Sequence, residues 1–90
     1  MRAPSKALQT LDTLALGARA RVVAVRGVGG LRLRLHEMGF VPGAAIRMVK
    51  RAPFGDPLEL QLRGGHVSLR RAEARRIEVD LLSGTGGTRS

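Results

Sequence analysis

Ninety residues with a net charge of +9, sixteen Lys plus Arg against seven Asp plus Glu, and no Cys, Trp or Tyr suit one small domain. The missing cysteines exclude disulfides, thiolate metal sites and a cysteine nucleophile, and with no sign of an oxidising compartment the cytoplasm is the expected location. No stretch approaches the roughly 18 apolar residues of a membrane-spanning helix, and residues 1–9 carry Arg2 and Lys6 but no continuous apolar segment of a secretion signal.

Along the chain, residues 1–7 read as a flexible start. Leu8, Leu11, Leu14 and Leu16 before Gly17 form a lead-in whose spacing fits a helical turn giving way to an extended piece. The first clear strand is expected over 20–26, where Val22, Val23 and Val25 give β-branched density bounded by glycines. Leu31, Leu35 and Met38 recur at i, i+4 and i+7 and share one face of a helix over 30–38. Leu31, Leu33 and Leu35 also alternate with Arg32 and Arg34, so periodicity leaves a strand open. The straight-chain Leu, Arg, Glu and Met favour the helix, and Gly39 stands where a left-handed C-cap belongs.

Val41-Pro42-Gly43 then turns the chain, proline presetting φ and glycine supplying a positive one. A strand follows over 45–51 with Ile46 and Met48 inward. Arg51-Ala52-Pro53-Phe54-Gly55-Asp56-Pro57 reads as a tight connection between strands. Leu58, Leu60 and Leu62 alternate with Glu59, Gln61 and Arg63 as a half-buried strand. Gly64-Gly65 is expected to turn a hairpin into Val67 and Leu69. Residues 71–76 allow one helical turn, Ile77, Val79 and Leu81 a last strand, and 83–90 a Gly/Ser/Thr-rich disordered tail. The expected fold is mainly β: a small, partly closed barrel of about five strands with a short inserted helix, spanning 8–82.

The residues offer no catalytic set. His36 and His66 lie thirty residues apart, no serine sits in an elbow motif, and Val28-Gly29-Gly30 lacks the Gly-Lys-Ser/Thr of a phosphate loop. His36, Glu37, Met38, Asp56, Glu59 and His66 are the metal-capable residues. Adjacent helix positions point roughly 100° apart, so His36 and Glu37 cannot easily share an ion. No enzyme activity and no cofactor are expected. The basic excess, fourteen of its sixteen residues arginine, fits nucleic acid, anionic lipid, an acidic protein or a solvated surface. Single-strand binding asks for aromatic platforms, and only Phe40 and Phe54 are present, so a basic nucleic-acid-binding barrel ranks second. First stands protein docking through the two shape-defining runs, since turns on a rigid scaffold are where partners bind.

These runs carry a resemblance. Leu11, Leu14 and Gly17, then Arg34-Leu35 leading to Met38-Gly39 and Val41-Pro42-Gly43, then 52–57, then Leu69-Arg70-Arg71 with Ala74, Ile77 and Val79 are together similar to the FeoA family of the bacterial ferrous-iron uptake system. The resemblance implies an SH3-like barrel and a role supporting FeoB, the membrane protein with a cytoplasmic GTP-binding domain and the ferrous-iron channel. On that basis the partner-binding residues are Arg34, Leu35, Gly39, Pro42, Gly43, Arg51, Pro53, Phe54, Gly55, Asp56 and Pro57. Association with the anionic inner leaflet would follow from the positive charge. If the module supplied an arginine to a GTPase, Arg51 beside the loop is the first candidate.

Overall fold

The computed structural model describes residues 8–83, so the expectations for 1–7 and for most of the tail after Ser83 lie outside the described residues. Six strands, β1 (Leu8–Thr10), β2 (Arg19–Val25), β3 (Ala45–Arg51), β4 (Leu58–Leu62), β5 (Gly65–Leu69) and β6 (Ile77–Ser83), form one sheet in the order β1-β6-β2-β3-β4-β5. All its pairings are antiparallel. Helix α1 (Gly30–Met38) interrupts it between β2 and β3, and α2 (Arg71–Ala74) between β5 and β6. The register slips between Val22 and Ala24 on β2 and between Met48 and Lys50 on β3. Bulges of this kind bend a strand and strengthen its twist, and the two intervening valines, Val23 and Val49, turn partly outward at 39% exposure each. The sheet curls into a partly closed barrel, with β1 and β5 as its unpaired margins.

The helix over 30–38 stands where its residue types place it. Leu35 is fully buried, Leu31 and Met38 pack beside it, and Leu33 is 59% exposed. A strand would have put Leu31, Leu33 and Leu35 on one face; the helix separates Leu33 from the other two. Gly39 closes α1 in the left-handed region at φ +114°, its amide donating to the His36 carbonyl and that of Phe40 to Leu35. It also lies against β4: a Cβ here would stand 3.0 Å from Leu62 Cδ2. Phe40 thereby enters the core, fully buried with Leu11, Leu14, Met48, Leu60 and Val79.

Three expectations change. The strand count is six, because Leu8–Thr10 pairs with β6 through Leu8↔Asp80, Gln9↔Val79 and Thr10↔Glu78; three residues are too few to show a period. The lead-in runs extended first and helical second, since a 3₁₀ turn at Leu11–Thr13 follows β1. There the Thr13 hydroxyl donates to the Thr10 carbonyl at 2.7 Å, a local bond that draws Ser and Thr into turns. The hairpin turns at Arg63-Gly64, with φ of +53° and +83°, and Gly65 already belongs to β5. The last strand stands where expected, and within it Leu81 is 39% exposed, lying where the β2–β6 register shifts between Arg19 and Ala20.

Candidate docking surface

Helix α1 and the β3–β4 loop meet β5 and α2 at one cleft. Arg34 from α1, Asp56 and Pro57 from the β3–β4 loop, Ser68 and Leu69 from β5, and Arg70 and Glu73 at α2 line a cavity of about 360 Å³. Its wall is a network centred on Glu73. One carboxylate oxygen of Glu73 accepts from the Arg70 amide at 2.9 Å, tying down the start of α2, and the other pairs with Arg34 Nη2 at 2.8 Å. The loop is closed on itself, Ala52 N donating to Pro57 O at 3.1 Å and Gly55 N to Ala52 O at 2.7 Å. It is then pinned to α2 by the Arg71 amide, which donates to Asp56 Oδ1 at 2.9 Å. Gly55 stands at φ +82°, the positive φ that glycine adopts at least cost. At the tip of this braced loop Phe54 is 93% exposed, an aromatic ring held out to solvent with its own chain covering almost none of it.

The structure brings Arg34 and the 53–57 loop to one face and leaves the remaining named residues elsewhere. Pro42 and Gly43 are exposed at the turn into β3, where Gly43 N donates to Val22 O at 2.8 Å; neither lines the cleft. Leu35 is fully buried and presents no atoms to a partner: its place is the core. Gly39 acts as the helix cap. Arg51 is a brace, its Nη2 donating to the carbonyls of Asp12 at 3.0 Å and Leu14 at 2.6 Å, so the group that a GTPase would need is committed to its own chain. Charged hydrogen bonds of this kind contribute about 1.5–3 kcal/mol. Arg51→Ala should therefore lower unfolding stability by at least about 1.5 kcal/mol in urea titration while leaving the cleft residues in place.

Arg70, Glu73 and Ser68 are cleft residues that the sequence did not single out for docking. The signal for Glu73 was present as the N3 acid of a capping pattern, hidden because arginine occupies the cap position in place of Ser, Thr, Asp or Asn.

Of the metal-capable residues, His66 Nδ1 lies 3.1 Å from Glu59 Oε2 on the neighbouring strand. His36 and Glu37 sit on α1, His36 half-buried and Glu37 exposed. A zinc site takes three or four protein ligands, and no group of three or more His, Cys, Asp or Glu that could hold an ion occurs among the described residues. For nucleic acid, the burial of Phe40 leaves Phe54 as the one accessible ring of the two. Part of the arginine excess is matched internally, Arg26 pairing with Glu78 at 2.7 Å and Arg34 with Glu73. No helix among the described residues is long and apolar enough to cross a membrane.

The FeoA domain family matches residues 9–81. Over 73 residues, 81% of this chain, the sequence is 45% identical to an Fe(2+) transport protein A/Fe(2+) transporter FeoB fusion protein of Porphyromonas gingivalis, of which it spans 9% of the length. Among solved structures, a FeoA-like protein from Clostridium acetobutylicum is 31% identical with a TM-score of 0.82, covering 92% of this chain and 95% of that one. FeoA of Stenotrophomonas maltophilia, described as a prokaryotic SH3 domain protein and solved with zinc, is 38% identical with a TM-score of 0.72, over 80% of this chain and 89% of that one. The barrel is accordingly SH3-like. Matched along its sheet, its helical insertion and its two turn runs, the chain belongs to the FeoA family.

Proposed function

We propose that this chain is an accessory protein of ferrous-iron uptake that docks on the cytoplasmic side of FeoB and supports Fe(II) transport. The observation that carries this reading is the fused relative: in one polypeptide the FeoA portion is held beside the transporter at an effective concentration set by their linker. Where the two meet as separate polypeptides, a contact surface on the FeoA portion would supply the same proximity. The cleft face suits that task. It pairs an exposed aromatic anchor with arginines, the residue types enriched where binding energy concentrates. Its loop is also tied down before any partner arrives, which lowers the entropy cost of association.

Positive charge assists from a distance. A basic residue close to an anionic leaflet gains on the order of 1 kcal/mol, so a chain of net charge +9 would concentrate near the inner membrane where its partner resides. Iron is the transporter's cargo in this reading, and the chain itself needs no metal ligand. Calorimetric titration of the purified FeoB cytoplasmic region tests the proposal. Wild-type chain should bind saturably and Phe54→Ala about 10-fold more weakly, a loss of about 1.4 kcal/mol. No heat above dilution would overturn the docking reading, and unchanged affinity of Phe54→Ala would move the contact off this loop.

A further inference from the structure

The strand that forms one wall of the cleft ends in an open edge. β5 is the last strand of the sheet order, paired with β4 alone. A two-residue hairpin makes its closing pair, Leu62↔Gly65, a hydrogen-bonded one, and hydrogen-bonded and non-bonded pairs then alternate along the ladder. Gln61↔His66 and Glu59↔Ser68 are thus the non-bonded pairs, so the amides and carbonyls of His66 and Ser68 point away from β4. Neither residue has a second backbone partner among the described residues.

Sheet edges are commonly blunted by brevity, proline or lysine. The opposite margin, β1, has three residues; β5 has five, Gly-His-Val-Ser-Leu, with neither proline nor lysine. Exposed Arg63 stands at the hairpin and exposed Arg70 at the far end. Of the acids nearby, Glu73 is paired with Arg34, Glu59 is hydrogen-bonded to His66, and Asp56 accepts from the Arg71 amide across the cleft. Ser68 also lines the cleft, so the edge runs directly into the proposed docking face.

We infer that β5 accepts an extended acidic segment of the protein partner as an added strand. Main-chain bonds to His66 and Ser68 fix its register, and its acidic side chains meet Arg63 and Arg70. This rests on the docking reading and gives it a geometry. Five residues of strand span about 17 Å, room for a segment of about five to seven residues with acids near both ends. Main-chain pairing supplies affinity in such strand addition, and the side chains supply selectivity.

Residue-resolved amide exchange on the wild-type chain, with and without the FeoB cytoplasmic region, separates the outcomes. The amides of His66 and Ser68 should exchange freely in the free chain and slow at least 10-fold in the complex. Ser68→Pro removes an outward amide without breaking a β4–β5 bond, and should weaken binding at least 10-fold while a two-dimensional amide spectrum shows the fold retained. Protection confined to α1 and the 53–57 loop, with His66 and Ser68 unchanged, would overturn the strand inference and leave docking standing. Absence of any binding would instead overturn docking and this inference with it. Protection of both amides that grows with concentration of the chain alone would assign the edge to a second copy and overturn the acidic-segment inference.

Discussion

Phe40→Ala should remove most of the chain's folding stability. The ring is fully buried and placed there by the chain reversal at Gly39, which turns α1 back onto the sheet. Truncating a buried phenylalanine costs about 3–5 kcal/mol, transfer and cavity combined. The whole stability of a small domain is about 5–15 kcal/mol, and short chains stand at the lower end because little of their surface is removed from water. At about 4–8 °C per kcal/mol for a domain of this size, the midpoint of thermal unfolding should fall by at least about 12 °C. A cooperative transition displaced by only a few degrees would mean that the core does not depend on this ring, contrary to its placement at the junction of helix and sheet.

The second large effect is on binding with the fold intact. Arg34→Ala combined with Phe54→Ala removes a cleft-lining arginine and the exposed ring of the adjoining loop. Their loss should weaken the FeoB cytoplasmic region about 100-fold, equivalent to about 2.7 kcal/mol. Stability should hardly change. The Arg34 side chain is 60% exposed and that of Glu73 17%, and an ion pair open to solvent on one side contributes up to about 1 kcal/mol. Phe54 is 93% exposed and packs on almost nothing. Glu73 retains its bond from the Arg70 amide, so α2 keeps its start. Circular dichroism melts of the double variant matching wild type, beside the loss of affinity, would separate this outcome from the Phe40→Ala one.

Much of the architecture was legible in local chemistry. Leu58, Leu60 and Leu62 announce a strand because one face is buried and the other is not. Gly39 marks the end of α1 because few other residues accept its backbone angles. Short or cooperative features were hidden: β1 gains its identity from β6, seventy residues away, and the Arg63-Gly64 turn is displaced from the more conspicuous Gly64-Gly65 pair by the register that β4 and β5 require. Among the site residues, Arg34 and the 53–57 loop reached one face because a helix and a loop distant in sequence are joined through α2, which their own composition could not reveal. Leu35 and Arg51 show the opposite case. Both were expected at the docking surface, yet one fills the core and the other braces the 3₁₀ turn. A motif residue can therefore serve the scaffold that presents a surface without belonging to that surface.

The central claim is that the chain acts through this face on a ferrous-iron transporter. Its most direct test is uptake of radiolabelled ferrous iron by cells lacking the gene, complemented with wild type or with the Arg34→Ala, Phe54→Ala double variant at equal protein abundance. Wild type should restore uptake and the folded double variant should not. Full restoration by the double variant would contradict the claim.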